Sequence, residues 1–322
     1  MKPLTLLVVA HPASRYLAAL DGLPQSTHIV VGNQPETFRN AGPEADAILN
    51  CFQRAQTLRY AWDAAPNVRW VHSLSAGVDN SLFPELVSSP VPLTNSRGVF
   101  SNSLAEFTLG GCLFFAKKFR RLVHNQEAGR WEQFDNEELR GKVIGIIGFG
   151  SIGQAVARLA KAFGMRVLAV HKRPGLPEPE PLADAVYGHD ALSQVLPQCD
   201  FVVAASPLTP ETRGLFGEPE FRAMKSSAVF VNVGRGPVVN EAALIRALEE
   251  RWIHAAALDV FEKEPLPGGH PFYQMEHVLL SPNCADHSAT WLQDAMHCFL
   301  RNFQRFAAGL PLENLVDKQL GY

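Results

Sequence analysis

Residues Lys142 to Gly153 read KVIGIIGFGSIG, and this stretch decides the fold of the second half of the chain. A run of apolar, mostly β-branched residues, typical of a buried strand, leads into Gly148, Gly150 and Gly153, and the following QAVARLAKAF has the composition of a helix. The three glycines suit a tight turn, a close approach of the backbone to a pyrophosphate, and close packing of helix on strand. The stretch therefore predicts a dinucleotide-binding Rossmann unit.

The end of the next predicted strand indicates which dinucleotide binds. The chain reads His171, Lys172 and Arg173 there, at the point where NAD enzymes usually carry an acidic residue for the ribose 2′-hydroxyl. A lysine and a guanidinium group are suited to a 2′-phosphate instead. We therefore predict NADP(H) as the preferred cofactor and NAD(H) as the second choice. The alternative interpretation is an ordinary solvated basic turn.

Short apolar runs, separated by loop-like or helix-like stretches, recur along the whole chain. In the first part they are Leu4–Ala10, His28–Val31, Ala47–Leu49, Val68–His72 and Val91–Thr94. In the second part they are Val143–Ile147, Val167–Val170, Phe201–Ala204, Ala228–Val233, Ala255–Val260 and Val278–Leu280. This rhythm is typical of parallel α/β sheets, and the second series matches the six strands of a Rossmann sheet.

Two helical segments are predicted to link the sheets. Ser103 and Glu106 form an S-x-x-E capping box ahead of a long apolar stretch to Phe119, so a helix is expected to begin there and cross between domains. The stretch from Thr290 to Ala308 has helical apolar spacing and is expected to fold back onto the first domain.

The chain is therefore predicted to be an α/β protein of two domains. A flavodoxin-like substrate domain comprises residues 1–101 completed by 290–322, and a Rossmann dinucleotide-binding domain comprises residues 102–289. The length of 322 residues agrees with this division, because a single core of that size is unusual. We expect the reaction site in the cleft between the domains.

Composition limits the class of partner. The formal net charge is -3 and the basic residues are scattered, which argues against nucleic-acid or membrane-surface binding. The five cysteines form no CxxC pair, so we expect reduced thiols, no metal site and a cytoplasmic protein. The short apolar run near Met1 is interpreted as a first strand and not as a signal peptide. The expected partner is a small molecule.

Several further motifs resemble the D-isomer-specific 2-hydroxyacid dehydrogenase family. They are SPLTPETRGLF at Ser206–Phe216, FVNVGRGPVVNE at Phe230–Glu241, LDVFEKEPLP at Leu258–Pro267, WVHSLSAGVDN at Trp70–Asn80 and TNSRGVFSNSLAEFTL at Thr94–Leu109. Together with the glycine turn they cover essentially the whole chain. The resemblance implies interconversion of 2-oxo acids and D-2-hydroxy acids, of the glyoxylate, hydroxypyruvate or phenylpyruvate type, in a protein that is usually a homodimer.

By this resemblance, Arg235 binds the substrate carboxylate and polarises the carbonyl, and the backbone of Ser75, Ala76 and Gly77 also donates to the carboxylate. An arginine suits the role because it is always charged and holds a planar carboxylate by two hydrogen bonds. Asp259 is implied to bind the nicotinamide amide. The full set of predicted cofactor contacts is Gly148, Gly150, Ser151, Ile152, Gly153, His171, Lys172, Arg173, Ser206, Pro207, Thr212, Val233, Gly234 and Asp259.

One position departs from the family pattern. Glu264 corresponds to the carboxylate that orients a catalytic histidine, and that histidine normally follows a Thr-Pro or Ser-Pro pair. Here Ser281 and Pro282 are followed by Asn283. An amide has no proton to give up near neutral pH, so Asn283 can donate a hydrogen bond to a carbonyl but cannot act as a general acid.

Several explanations of Asn283 stay open. The first is that His287, four residues further on, acts as the acid, although it is a weaker candidate. The second is that the substitution was introduced into the natural sequence. The third is that the natural reaction needs no strong acid or takes its proton from water. Two rival functions also stay open. One is a non-catalytic dinucleotide sensor resembling a transcriptional corepressor, and the other is a dehydrogenase of phosphite or formate type.

Overall fold

A computed structural model describes residues 3–172 and 182–322. The chain divides into two compact units, one formed by the part up to Phe100 together with Ala289–Tyr322 and the other by Ser101–Ser288. Each unit is built on one parallel β-sheet. The predicted α/β class with two domains is therefore confirmed.

The sheet of the first unit has five strands. They are β1 (Thr5–Val9), β2 (His28–Gly32), β3 (Ala47–Asn50), β4 (Trp70–Ser73) and β5 (Leu93–Asn95). Their order is β2-β1-β3-β4-β5, which is the flavodoxin-like arrangement. Every residue of β1, β3 and β4 is buried, and this explains why those strands are predicted by apolar runs without alternation.

The sheet of the second unit has seven strands in the order β12-β11-β10-β9-β6-β7-β8. They are β6 (Val143–Ile147), β7 (Arg166–Val170), β8 (Ala185–Tyr187), β9 (Phe201–Ala204), β10 (Val229–Asn232), β11 (Ala255–Leu258) and β12 (Val278–Leu280). The prediction of six strands was wrong because β8 was missed. Its three residues, Ala185–Tyr187, form only a very short apolar run, and none of them is fully buried.

Helices cover both sheets. The α-helices are α1 (Pro35–Phe38), α2 (Ala55–Ala64), α3 (Pro84–Ser88), α4 (Ser101–Ala116), α5 (Phe119–Glu127), α6 (Ser151–Ala162), α7 (Leu192–Val195), α8 (Glu218–Ala223), α9 (Glu241–Glu249) and α10 (Trp291–Ala307). Short 3₁₀ turns lie at Arg15–Gly22, Gly42–Glu44, His189–Ala191, Leu196–Gln198, Gly236–Val238 and Pro271–Gln274.

The capping box predicted for α4 is wrong. The helix begins at Ser101, so Ser103 lies within its first turn. The Ser103 hydroxyl donates to the carbonyl oxygen of Ala285 at 2.6 Å, and therefore does not cap the helix. This hydrogen bond joins α4 to a loop that is distant in sequence, which a local motif cannot indicate.

The C-terminal helix α10 packs on the sheet of the first unit, as predicted. The rings of Trp70 on β4 and Phe299 on α10 are stacked, with centroids 5.5 Å apart. Phe299 and Phe303 are both buried. The helical spacing of these apolar residues thus reflects a real buried face.

In the described ranges, no helix is long and apolar enough to cross a membrane. The same part of the chain contains no group of three or more His, Cys, Asp or Glu side chains that could hold a metal ion. The cytoplasmic location and the lack of a metal centre stay predictions from the sequence.

Candidate active site

The glycine turn after β6 has a conformation that requires two of its glycines. Gly148 has φ 100°, and a Cβ built on it would lie 2.6 Å from the backbone of Ala205 and Ser206. A Cβ on Gly153 would overlap the carbonyl oxygen of Gly148. The turn and the packing of α6 on β6 therefore exclude side chains at both positions.

Gly150 differs from its neighbours, because the fold itself does not exclude a side chain there. It has φ -80° as the residue before α6, and a Cβ built on it would meet no heavy atom of the described residues within 4 Å. Ser151 and Ile152 follow as half-buried residues in the first turn of this helix. Open space at the positive end of a helix is the environment that a dinucleotide pyrophosphate needs, so the residues present fit a dinucleotide.

Other predicted cofactor contacts hold the loops that follow β9 and β10. The Ser206 hydroxyl donates to the carbonyl oxygen of Ile147 at 3.0 Å. The Thr212 hydroxyl donates to the carbonyl oxygen of Pro207 at 2.6 Å. A Cβ on Gly234, which follows the buried Val233, would lie 2.8 Å from the carbonyl oxygen of Ser206. The strand-end loops of β9 and β10 are thus tightly packed beside the turn.

The basic residues after β7 lie at the carboxyl edge of the same sheet. The His171 N–H donates to the carbonyl oxygen of Tyr187 at 2.9 Å, and the exposed Lys172 ammonium lies 3.6 Å from a carboxylate oxygen of Glu211. Burial lowers the pKa of His189, the neighbouring His171 and Lys172 lower it further, and Asp190 and Glu211 oppose this shift. Arg173 lies outside the described residues.

Arg235 directly follows the buried strand β10 and is held by its own strand end. The buried Asn232 donates to the carbonyl oxygen of Arg235 at 3.3 Å and accepts from the N–H of Gly234 at 3.2 Å. One nitrogen of the Arg235 guanidinium donates to the carbonyl oxygen of Gly234 at 3.0 Å. Asn232 was missed from the sequence, although a polar residue closing an apolar strand is a usable signal.

Asp259, at the end of β11, fixes the loop that contains Asn283. Its side chain is buried, and one carboxylate oxygen accepts three hydrogen bonds, from the hydroxyl of Ser281 and from the N–H groups of Cys284 and Ala285. Its carbonyl oxygen accepts from the N–H of Asn283 at 2.9 Å. Asp259 is therefore an anchor for this loop, and its role toward the nicotinamide stays a prediction.

The structure brings Asn283 and Glu264 together. The side-chain amide of Asn283 donates to one carboxylate oxygen of Glu264 at 2.6 Å, and the other oxygen accepts from the N–H of Phe261 at 2.9 Å. Asn283 has φ 53°, a left-handed conformation that asparagine tolerates better than most residues. The pair can hold a hydrogen bond in place but contains no imidazole that could supply a proton.

A second carboxylate lies beside the candidate His287. Nε2 of His287 lies 3.6 Å from Oδ1 of Asp286. Burial raises the pKa of Asp286; the positive charges of His287 and Arg235 oppose this rise, and Asp259 adds to it. Asp286 was missed from the sequence, because nothing in the local pattern indicates that this loop residue is partly buried.

The predicted substrate loop of the first unit follows β4. Two of its carbonyl oxygens accept hydrogen bonds within that unit. The Asn95 side-chain amide donates to the carbonyl oxygen of Ala76 at 2.6 Å, and the N–H of Ser96 donates to that of Ser75 at 3.2 Å. Ser75, Ala76 and Gly77 are half-buried. The loop is therefore held through its carbonyl groups, and a role for its N–H groups in binding an anion stays a prediction.

A Rossmann sheet with this glycine turn, and with an arginine and a buried aspartate at its strand ends, is typical of nicotinamide-dependent oxidoreductases. Residues 109–285 match the family model of the D-isomer specific 2-hydroxyacid dehydrogenase, NAD binding domain. The chain is 37% identical over 298 residues to a glyoxylate reductase of Aeropyrum pernix, which covers 88% of this chain and 87% of that protein.

Solved structures agree with this match. An NADPH-dependent glyoxylate/hydroxypyruvate reductase from Sinorhizobium meliloti, in complex with NADP and sulfate, is 27% identical with a TM-score of 0.85, over 99% of this chain and 100% of that one. A D-isomer specific 2-hydroxyacid dehydrogenase from Xanthobacter autotrophicus Py2, in complex with NADPH and MES, is 30% identical with a TM-score of 0.82, over 99% and 100%.

The chain belongs to the D-isomer-specific 2-hydroxyacid dehydrogenase family. It is an oxidoreductase that acts on 2-oxo or 2-hydroxy acids with a nicotinamide dinucleotide, NADP(H) or NAD(H). The predictions of the family, the fold class and a nicotinamide dinucleotide cofactor are therefore confirmed, and the preference for NADP(H) over NAD(H) stays a prediction.

Alanine substitutions at Gly150 and Gly148 separate cofactor binding from folding, because only the second is excluded by the fold itself. We expect Gly150→Ala to leave the melting temperature of the free protein nearly unchanged but to weaken NADPH binding about 10-fold, because its methyl group fills the space for the pyrophosphate. Gly148→Ala should instead destabilise the free protein by about 1–3 kcal/mol, because of its positive φ and the nearby backbone. Thermal unfolding and NADPH fluorescence titration measure both effects. Unchanged NADPH affinity in Gly150→Ala would show that the start of α6 is not the pyrophosphate site.

Proposed function

We propose that this protein reduces a small 2-oxo acid of the glyoxylate or hydroxypyruvate type to the D-2-hydroxy acid with NADPH. The observation that carries the proposal is the position of Arg235 directly after β10, where Asn232 and Gly234 hold its backbone beside the glycine turn. A permanent cation at this strand end is suited to hold a substrate carboxylate. The names of the glyoxylate reductases to which the chain is similar support the choice of substrate.

In this mechanism Arg235 binds the carboxylate through two hydrogen bonds and orients the adjacent carbonyl group. NADPH, when bound, supplies the hydride that reduces the carbonyl carbon. Asn283 gives one amide hydrogen to Glu264 and has a second that can stabilise the oxygen as it gains charge, but it cannot protonate that oxygen.

One observation favours a second function. Both oxygens of the Glu264 carboxylate accept hydrogen bonds, one from the Asn283 amide and one from a backbone N–H. Position 283, where the family carries its acid, therefore holds no titratable donor. A protein that binds NADPH and signals through contacts with other proteins would need no acid there. The rival is therefore a dinucleotide sensor without catalysis.

The test is NADPH oxidation with a panel of 2-oxo acids, measured for this chain and for Asn283→His. We expect the variant to gain about 100-fold in kcat, because Glu264 already lies in hydrogen-bonding reach of residue 283. Its NADPH affinity should stay unchanged. If neither protein oxidises NADPH with any 2-oxo acid while both bind the cofactor, the reductase proposal fails and the sensor is favoured.

We further propose that NADPH is preferred over NADH and that Lys172 contributes to this preference. Lys172 is exposed at the end of β7, and its ion pair with Glu211 is long, so a 2′-phosphate can replace that partner at little cost. Lys172→Ala should weaken NADPH binding about 10-fold and leave NADH binding unchanged. Lys161→Ala, which removes another exposed ion-paired lysine, is the control. Equal losses for both cofactors in Lys172→Ala would contradict the proposal.

We also propose that the protein is a homodimer through α5 and the segment after it. Phe119, Leu122, Val123 and Trp131 are large apolar residues that are exposed there, and Trp131 is 96% exposed. Clusters of exposed apolar residues commonly mark protein interfaces. Sedimentation velocity should give twice the chain mass of 35.4 kDa, and Val123→Asp should shift the protein toward monomer. A monomeric wild-type protein at micromolar concentration would exclude this interface.

A further inference from the structure

The loop after β12 is clamped at several points. The Asp259 carboxylate accepts from the N–H groups of Cys284 and Ala285, each at 3.0 Å. On its other side, the carbonyl oxygen of Ala285 accepts from the hydroxyl of Ser103 on α4 at 2.6 Å. The backbone that leads into Asp286 is therefore fixed, and the side chains that follow start from a defined position.

One carboxylate oxygen of Asp286 has no hydrogen-bond donor among the described residues. Its Oδ1 is buried and accepts no hydrogen bond from the part of the chain that the structure describes. A buried carboxylate oxygen without a donor is costly, so a nearby cation stabilises it strongly. Nε2 of His287 lies 3.6 Å away, slightly too far for a hydrogen bond. Acid–base pairs are often this loose before substrate binds and tighten in the complex.

The charge of Arg235, the proposed substrate-binding residue, acts on Asp286. The charge of Arg235 lowers the pKa of Asp286 and the charge of Asp259 raises it, while burial raises it most. Arg235 ends β10 and Asp259 ends β11, and these strands are neighbours in the sheet. Because the Asp259 carboxylate also accepts from the N–H of Ala285, the residue before Asp286, the backbone at Asp286 and His287 lies at the same edge of the sheet as the arginine that would hold the substrate.

We propose that Asp286 and His287 form a second carboxylate–imidazole pair that delivers the proton in place of the histidine that is absent at position 283. This inference rests on the proposed reductase function. His287 is the catalytic residue, and Asp286 is a positioning residue that orients the ring and stabilises its protonated form. Glu264 is unsuited to orient the His287 ring, because both of its oxygens already accept hydrogen bonds.

Proton transfer from His287 accompanies reduction of the substrate carbonyl by the hydride that bound NADPH would supply, with NADPH oxidised to NADP⁺. As the hydride adds to the carbonyl carbon, the π electrons of the C=O bond move onto oxygen. An N–H bond of protonated His287 breaks, its electron pair stays on nitrogen, and an O–H bond forms on the substrate. The neutral imidazole then regains a proton from water, and Asp286 stays a carboxylate throughout.

The test compares the pH dependence of kcat for the wild-type protein, His287→Gln and Asp286→Asn. Wild-type kcat should fall at alkaline pH as the imidazolium is lost. His287→Gln should lower kcat about 10-fold at neutral pH, with little change in KM, and should abolish this alkaline fall. Asp286→Asn should move the fall to lower pH, because the imidazolium loses its stabilising carboxylate; a merely structural role of Asp286 would not do this. His297→Gln, an exposed histidine on α10, is the control and should behave as wild type.

A second arm uses Asn283→His as background. There the restored histidine beside Glu264 supplies the proton, so adding His287→Gln should cost almost nothing. If the wild-type protein reduces 2-oxo acids and His287→Gln keeps its kcat and its alkaline fall, the inference is wrong while the reductase function stands. If neither the wild-type protein nor Asn283→His turns over, the reductase function and the inference fall together.

Discussion

The buried carboxylate of Asp259 is the interaction on which the candidate site depends. One of its oxygens accepts three hydrogen bonds from the loop after β12, and the backbone carbonyl of Asp259 accepts one from the N–H of Asn283. Hydrogen bonds to a charged, buried acceptor are stronger than those between neutral groups, so this loop has little freedom. The contact between Asn283 and Glu264 and the position of Asp286 both follow from this anchor.

The parallel sheet explains why the remaining groups converge. All strands of the second unit run in one direction, so β6, β10 and β11 end at a common edge. That edge carries the glycine turn, Arg235 and Asp259. Ligands of open α/β sheets bind outside such carboxyl ends. The architecture therefore brings together the open start of α6 at Gly150 and an arginine at the end of β10, an arrangement that suits a dinucleotide and an acidic substrate.

Much of this could be predicted from the sequence, because the decisive signals are local. Buried parallel strands leave continuous apolar runs, and Gly148 and Gly153 are required by contacts within one strand–turn–helix unit. Strand β8 has only a three-residue apolar run, Ala185–Tyr187, and none of its residues is fully buried. Asn232 and Asp286 act through hydrogen bonds or burial that depend on residues brought close only by folding, and a local pattern does not contain them. Ser103 was misassigned for the same reason, since its partner is Ala285.

The most direct test of the central claim is the identity of the product. The purified chain is incubated with hydroxypyruvate and NADPH, and the glycerate formed is resolved by chiral chromatography. We expect D-glycerate equal in amount to the NADPH consumed, and a loss in kcat/KM of about 100-fold or more in Arg235→Gln, because the substrate carboxylate loses its anchor. L-glycerate, a racemic product, or undiminished activity of Arg235→Gln would contradict the account.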